Sequence, residues 1–263
     1  MYEFAYQKPA SVADAVKLLA DPEAKPLAGG MTLIPVLKQR LNKPSMVVDL
    51  ARLGLAGITV ANGTVTIGAM TTHRTVAQSA EVKRAIPALA ALAAGIGDPA
   101  VRYRGTIGGS LANNDPTADY PAAVLALGAT VRTDRRTIPA DQFFQGMFAT
   151  ALEAGEIITA VAFPVPEAAA YVKFPNPASR YAMVGVFVAR GPAGVRVAVT
   201  GAGQGGVFRH TGFEQALAKS WSAAALEGVA TPADDLNSDI HGSAAYRAHL
   251  VGVMAKRAVA AAG

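Results

Sequence analysis

The chain contains no cysteine. That excludes disulfides, thiolate nucleophiles, Cys-ligated zinc and any iron–sulfur cluster held by these residues alone. If the protein takes part in redox chemistry, steps on a metal cluster belong to another chain. Histidine is scarce as well, with four scattered residues, and a metal site has little to build on. Aromatic residues make up 6% and charged residues 16%. Beside an apolar share of 51%, these figures describe a compact globular protein and argue against disorder. Long apolar runs are missing too. The richest, Ile86–Ile96, is too short to cross a bilayer and is interrupted by Pro87 and Gly95, so no membrane span is expected. The opening MYEFAYQKPAS has neither the basic start nor the apolar stretch of a signal peptide, and a cytoplasmic location is expected.

The net charge of +5 is modest. Arg102, Arg104, Arg132, Arg135 and Arg136 form the densest basic zone, without interleaved aromatics or a nucleic-acid-binding motif. It reads as a solvated surface or a docking face for an acidic partner, with no nucleic acid involved. The 263 residues suffice for one large domain or a few small ones.

What is present is glycine in telling places. Arg104–Pro121 reads RGTIGGSLANNDPTADYP, a glycine pair, two adjacent Asn, two Asp and two Pro set between apolar runs. Gly108 and Gly109 let the backbone approach a neighbour or a bound molecule closely. Thr106, Ser110, Asn113 and Asn114 add short hydrogen-bonding side chains, and Asp115-Pro116 and Tyr120-Pro121 fix turns. Two readings stand on these residues alone: a well-capped loop, or a backbone cradle for a phosphate-bearing ligand.

From the N-terminus, Glu3–Tyr6 reads as a strand, and Ser11 caps a helix carrying Val12, Ala15, Val16 and Leu19. Lys25–Ala28 reads as a strand running into Gly29-Gly30, Thr32 as the cap of a helix through Leu41, and Pro44–Leu50 as another strand. A glycine pair between a strand and a helix N-terminus suits an anion, although a tight turn explains it equally well. Asn62-Gly63 joins two strands in a hairpin, Ile58–Ala61 and Thr64–Gly68. His73, just after, reads as a capping or packing residue. Ile86–Ile96 forms a buried helix, followed past the central stretch by a helix over 122–127 and strands at 129–133, near Phe143-Phe144 and over 157–163. Residues 164–170 read as a linker. Beyond it come strands at 171–174, 183–189 and 195–200, then helical runs near Glu214, near Ala223 and over Ala244–Ala261. Gly201–Gly206 satisfies G-x-G-x-x-G, but no helix opens at its last glycine and no acidic residue follows at the required distance. It is read as a glycine-rich turn.

Two glycine pairs after strand-like sequence, separated by a buried helix and followed by Asp119, resemble the paired flavin-binding segments of a known family. It is the FAD-binding medium subunit of xanthine-dehydrogenase-type molybdenum hydroxylases, in particular the carbon-monoxide-dehydrogenase-like flavoproteins. The resemblance rests on PLAGG, RGTIGGSLAN, ADYPAAVLALGA and EIITAVAFP and extends over nearly the whole chain. Met31 and Asp98 depart from it, standing where many members carry a polar residue and a histidine. The resemblance implies an α+β fold: a two-part FAD-binding domain of the vanillyl-alcohol-oxidase/PCMH type over 1–165, with subdomains of about 1–55 and 56–165, then a smaller antiparallel-sheet-plus-helices domain over 166–263.

It also implies site residues. Leu27, Ala28, Gly29, Gly30, Met31, Thr32 and Leu33, with Thr106, Ile107, Gly108, Gly109 and Ser110, would grip the FAD diphosphate, with Asn113 and Asp115 nearby. Asp119 would accept a hydrogen bond from a sugar or ribityl hydroxyl, or else cap the helix that follows. Ile96 and Ile158 would line the flavin rings, Lys173 would stabilise the anionic reduced flavin, and Tyr181 would lie beside the ring face. No side chain would act on the organic substrate and no metal would be bound here. The molybdenum cofactor would sit in a large molybdopterin subunit and the [2Fe-2S] clusters in a small iron–sulfur subunit, with electrons leaving through FAD to an external acceptor. A self-standing FAD oxidase or reductase and a cofactor-free scaffold are the competing functions.

Overall fold

A computed structural model describes residues 1–263. The chain opens with β1 (Ala5–Gln7), α1 (Val12–Leu18), β2 (Lys25–Leu27), α2 (Leu33–Lys38) and β3 (Met46–Asp49). Ser11 starts α1 as expected, its side chain accepting from the Asp14 amide. The strands form a parallel sheet in the order β1-β3-β2, so α1 carries the chain from one edge to the other and α2 brings it back to the central strand. A short 3-10 turn, Leu50–Arg52, leads out.

The second unit begins with β4 (Ile58–Ala61) and β5 (Thr64–Gly68). Asn62 and Gly63 between them both take positive φ, 50° and 68°, the geometry that a two-residue hairpin demands. Six helices follow: α3 (His73–Gln78), α4 (Ala80–Ala85), α5 (Pro87–Ala94), α6 (Pro99–Arg104), α7 (Ile107–Asn113) and α8 (Tyr120–Ala126). The chain continues through β6 (Thr130–Thr133), β7 (Thr137–Pro139), α9 (Ala140–Phe143), β8 (Phe144–Gly146), β9 (Ala149–Thr150) and β10 (Ile158–Pro164). The antiparallel sheet β4-β5-β10-β6-β7 results, with β8 and β9 a separate hairpin.

The third unit is β11 (Ala168–Pro175), β12 (Ala182–Gly191), β13 (Gly194–Thr200) and β14 (Phe208–Arg209), an antiparallel sheet in sequence order, followed by α10 (Thr211–Lys219), a 3-10 turn at Ala223–Leu226 and α11 (Ala244–Ala261). The expected linker is shorter than its composition indicates: Ala168–Ala170 pair with Arg190–Val188 as the start of β11. The G-x-G-x-x-G run is a turn between β13 and β14, and the helix starts only at Thr211.

The period-2 alternation of β12 and β13 divides their side chains between two cores. Phe187, Ala189 and Ala198 pack with α5, α7, α8 and the second sheet. Val184, Val186, Val188, Val197 and Val199 pack with α10 and α11 on the opposite face.

One sequence expectation fails in a useful way. The central stretch is not a loop at its glycine pair, because Ile107–Asn113 is helical. Glycine is a poor helix former, but tertiary bonds hold this first turn. Thr106 is the N-cap, its Oγ1 accepting from the Gly109 amide at 3.1 Å. The Ile107 amide donates to Thr71 O at 3.1 Å and the Gly108 amide to Ala69 O at 2.8 Å. A Cβ on Gly108 would come within 2.6 Å of the Ala69 Cβ, so close packing against the end of β5 requires glycine there.

Candidate functional site

The first glycine pair lies where β2 gives way to α2. Gly30 has φ +76°, a conformation that L side chains resist. From Gly29 to Leu33 no backbone amide donates a hydrogen bond within the chain. Thr32 stands at the N-cap of α2 but makes no side-chain cap bond, so the expected capping does not occur and the helix's leading N–H groups stay unspent. Five successive donors beside a helix N-terminus can bind an anion.

The second pair differs. Ile107 and Gly108 donate to the backbone as above, Gly109 to Thr106 Oγ1, and the Ser110 amide to Thr106 O at 3.0 Å. What this segment offers is shape, because the two segments meet backbone to backbone. A Cβ on Gly29 would lie 2.1 Å from the Arg104 carbonyl oxygen and 2.9 Å from Gly105 Cα. One on Gly109 would lie 3.4 Å from the Ala28 Cβ. Beneath the junction sits His73, which is buried. Its amide donates to Gly105 O at 2.9 Å, and a Cβ on Gly105 would lie 2.5 Å from its Nε2. Its ring packs on Tyr120 at 5.4 Å, and burial followed by the Arg102 charge lowers its pKa to about 4. His73 is therefore a neutral packing residue.

Asp119 precedes α8 and makes no cap bond to it. Its side chain turns to β11. Tyr171 donates to Oδ1 at 2.5 Å, and Lys173 Nζ stands 3.1 Å from Oδ1 and 3.2 Å from Oδ2. Only 5% of Asp119 is exposed. Burial raises its carboxyl above the usual range, while the ammonium and the phenol draw it back. Lys173 also donates to Gly95 O at 2.9 Å. Arg102 Nη1 donates to the next two carbonyls, Ile96 at 2.8 Å and Gly97 at 3.0 Å. Two cations thus hold the carbonyls of the α5–α6 turn, and the half-buried Ile96 is presented on a fixed turn.

Other expected residues are spread more widely. Met31 and Thr32 are exposed, and Leu27, Leu33, Ser110 and Asn113 are half-buried. Asp115 Oδ1 accepts from the Thr117 amide at 2.9 Å and hydroxyl at 2.6 Å, closing a turn. Half-exposed Tyr181 has its phenol pKa raised by burial and then by the charges of Asp115 and Asp119. Ile158 is buried where β10 pairs with β6, in the core cluster that also holds Ile107 and against which Ile96 packs.

His73 is the packing residue its sequence position indicated, whereas three roles escaped the sequence reading: Arg102 as a clamp, Tyr171 as a partner of Asp119, and Asn114 as a tie to the β8–β9 hairpin. The last ends α7 at φ 42° and donates to Gly146 O and Ala149 O, each at 2.8 Å. Only Tyr171 carried a signal, standing two residues before Lys173 and so on the same strand face.

The comparisons agree with this architecture. The profile described as "FAD binding domain in molybdopterin dehydrogenase" matches residues 2–166. The nicotine 6-hydroxylase medium subunit of Paenarthrobacter nicotinovorans is 38% identical, covering 98% of this chain and 96% of the relative. The carbon monoxide dehydrogenase medium chain of Afipia carboxidovorans is 36% identical, covering 97% and 95%. Among solved structures, carbon monoxide dehydrogenase from Hydrogenophaga pseudoflava, in a form lacking the Mo-pyranopterin moiety, superposes with a TM-score of 0.89 at 35% identity, covering 99% of this chain and 97% of that one. Quinoline 2-oxidoreductase from Pseudomonas putida 86 does so with 0.88 at 31%, with the same coverage. Likeness over the full length, and not over the glycine segments alone, means that this chain belongs to the FAD-binding medium subunits of the molybdenum hydroxylases, an oxidoreductase family.

Proposed function

We propose that this subunit is the electron outlet of a multi-subunit dehydrogenase in the cytoplasm. It would take electrons from [2Fe-2S] clusters of a small subunit, fed by a molybdenum cofactor in a large one, and pass them to an external acceptor. When bound, FAD supplies the exchange between one-electron and two-electron chemistry that such a position needs.

The observation that carries this reading is the run of unspent amides from Gly29 to Leu33. A diphosphate needs several donors at short range, and these are free, successive and next to a helix N-terminus. Residues 106–110 form the wall that holds this run in place, with the side chains of Thr106, Ser110 and Asn113 along it. Asp119 retains accepting capacity on Oδ2 for a sugar or ribityl hydroxyl. Lys173, held between Asp119 and Gly95 O, contributes positive charge that favours a reduced, anionic flavin. Tyr181 and Ile96 shield the ring system from solvent, and Ile158 supports it from the core. The division at about residue 165 follows: residues 1–165 carry the cradle, and 166–263 supply Lys173 and Tyr181.

The test is a visible absorption spectrum of the purified full chain, with identification of whatever denaturation releases. Flavin bands and free FAD are expected, or uptake of added FAD by a colourless preparation. A chain that is colourless and binds no added FAD overturns the proposal.

A further inference from the structure

Tyr171 lies outside both glycine segments and donates a hydrogen bond to Asp119. Its half-buried ring lies on β11, stacked on Phe187 at 6.0 Å between centroids. Register explains how it reaches Asp119. Tyr171 pairs with Phe187 and Lys173 with Gly185, so all four share one face of the β11–β12 ladder. The phenol leans along that face across Gly185. A Cβ there would come within 2.3 Å of the hydroxyl oxygen, and the missing side chain is the space through which the hydroxyl passes.

The result is a carboxylate held from two directions by one strand. Oδ1 accepts a hydrogen bond from the phenol at 2.5 Å, and Lys173 Nζ lies against both oxygens, 3.1 Å from Oδ1 and 3.2 Å from Oδ2. A carboxylate bound only by a lysine can rotate, because an ammonium donates in any direction around its axis. A phenol bonding one named oxygen removes that freedom.

We infer that Tyr171 is a positioning residue of the cofactor site, which fixes the rotation of Asp119 so that Oδ2 is turned toward the ligand hydroxyl. The inference rests on FAD binding to this chain. Tyr171 touches no ligand atom in this scheme and acts through Asp119.

The experiment is a double-mutant cycle on FAD affinity in the full chain, using Tyr171→Phe and Asp119→Ala alone and together. The Phe variant keeps the ring and its stack on Phe187 and loses only the hydroxyl. It is expected to weaken FAD binding by roughly tenfold, the effect of one charge-assisted hydrogen bond. In the Asp119→Ala background the same change is expected to alter affinity less than about twofold, since the residue it acts through is gone. Gly185→Ala, which closes the passage from the other strand, is expected to reproduce the Phe phenotype. An undiminished effect of Tyr171→Phe without Asp119 would show that the phenol matters only for packing and would overturn the inference, as would an unchanged affinity in the single variant. A wild-type chain that takes up no FAD would overturn the flavin reading itself, a different result from either.

Discussion

Gly29 lies directly against the carbonyl of Arg104, so close that a methyl group there would stand 2.1 Å from the oxygen. Two segments some seventy-five positions apart in sequence are thereby joined backbone to backbone (104 less 29). Glycine in the first pair serves this contact as much as any ligand. Gly29→Ala is expected to cost roughly 1–3 kcal/mol by overpacking. The amides of residues 29–33 would move with the segment, and FAD affinity would fall as well. Denaturant unfolding with and without FAD separates the two effects.

Lys173 and Asp119 form a buried ion pair, and removing one partner leaves the other charge stranded. Lys173→Met is expected to destabilise the chain by about 3–5 kcal/mol. Adding Asp119→Asn should recover a large part of that loss, because no uncompensated charge remains. A double variant no more stable than the single one would contradict the pairing. Chemical denaturation of the three variants decides it.

Acid should act in two windows. His73 stays neutral in the fold, with a pKa of about 4 against an ordinary 6.5. Between those values the unfolded chain binds a proton that the folded chain refuses, so stability declines as pH falls from 6.5 towards 4. Glu156 is held at about 2, well below its ordinary 4.5, foremost by the Arg136 guanidinium. Its contribution is complete above 4.5 and is lost as pH falls towards 2. The urea midpoint measured against pH should lose its upper slope in His73→Gln and its lower slope in Glu156→Gln.

Asn114 combines a left-handed backbone with two hydrogen bonds to the β8–β9 hairpin. Asn114→Ala sacrifices both features and is expected to cost on the order of 2–4 kcal/mol. Asn114→Gly keeps the backbone conformation and should be milder by about 1 kcal/mol. Equal losses in thermal unfolding would mean that the backbone conformation contributes nothing.

The parts of this fold legible in sequence are those decided locally. Asn62-Gly63 needs only its own dihedrals to make a hairpin, and Ser11 needs only the next turn to cap α1. The helices near Glu214 and from Ala244 announce themselves by apolar spacing. What stayed hidden depended on distant partners. Residues 107–113 look like a loop because glycine weakens a helix, and the carbonyls of Ala69 and Thr71 that anchor it lie far upstream. Asp119 looks like a helix cap because the position is right, while its partner Tyr171 is fifty-two residues away.

The third sheet has apolar side chains on both faces, each face belonging to a different core. It is a party wall, and neither side has a finish of its own. Severing the chain near residue 165 would strip Phe187, Ala189 and Ala198 from α5 and α8 and leave greasy surface on both fragments. Whatever modules the sequence was assembled from, their independence has been surrendered, and a disturbance in the C-terminal helices has only one sheet to cross before it reaches Tyr171 and Lys173.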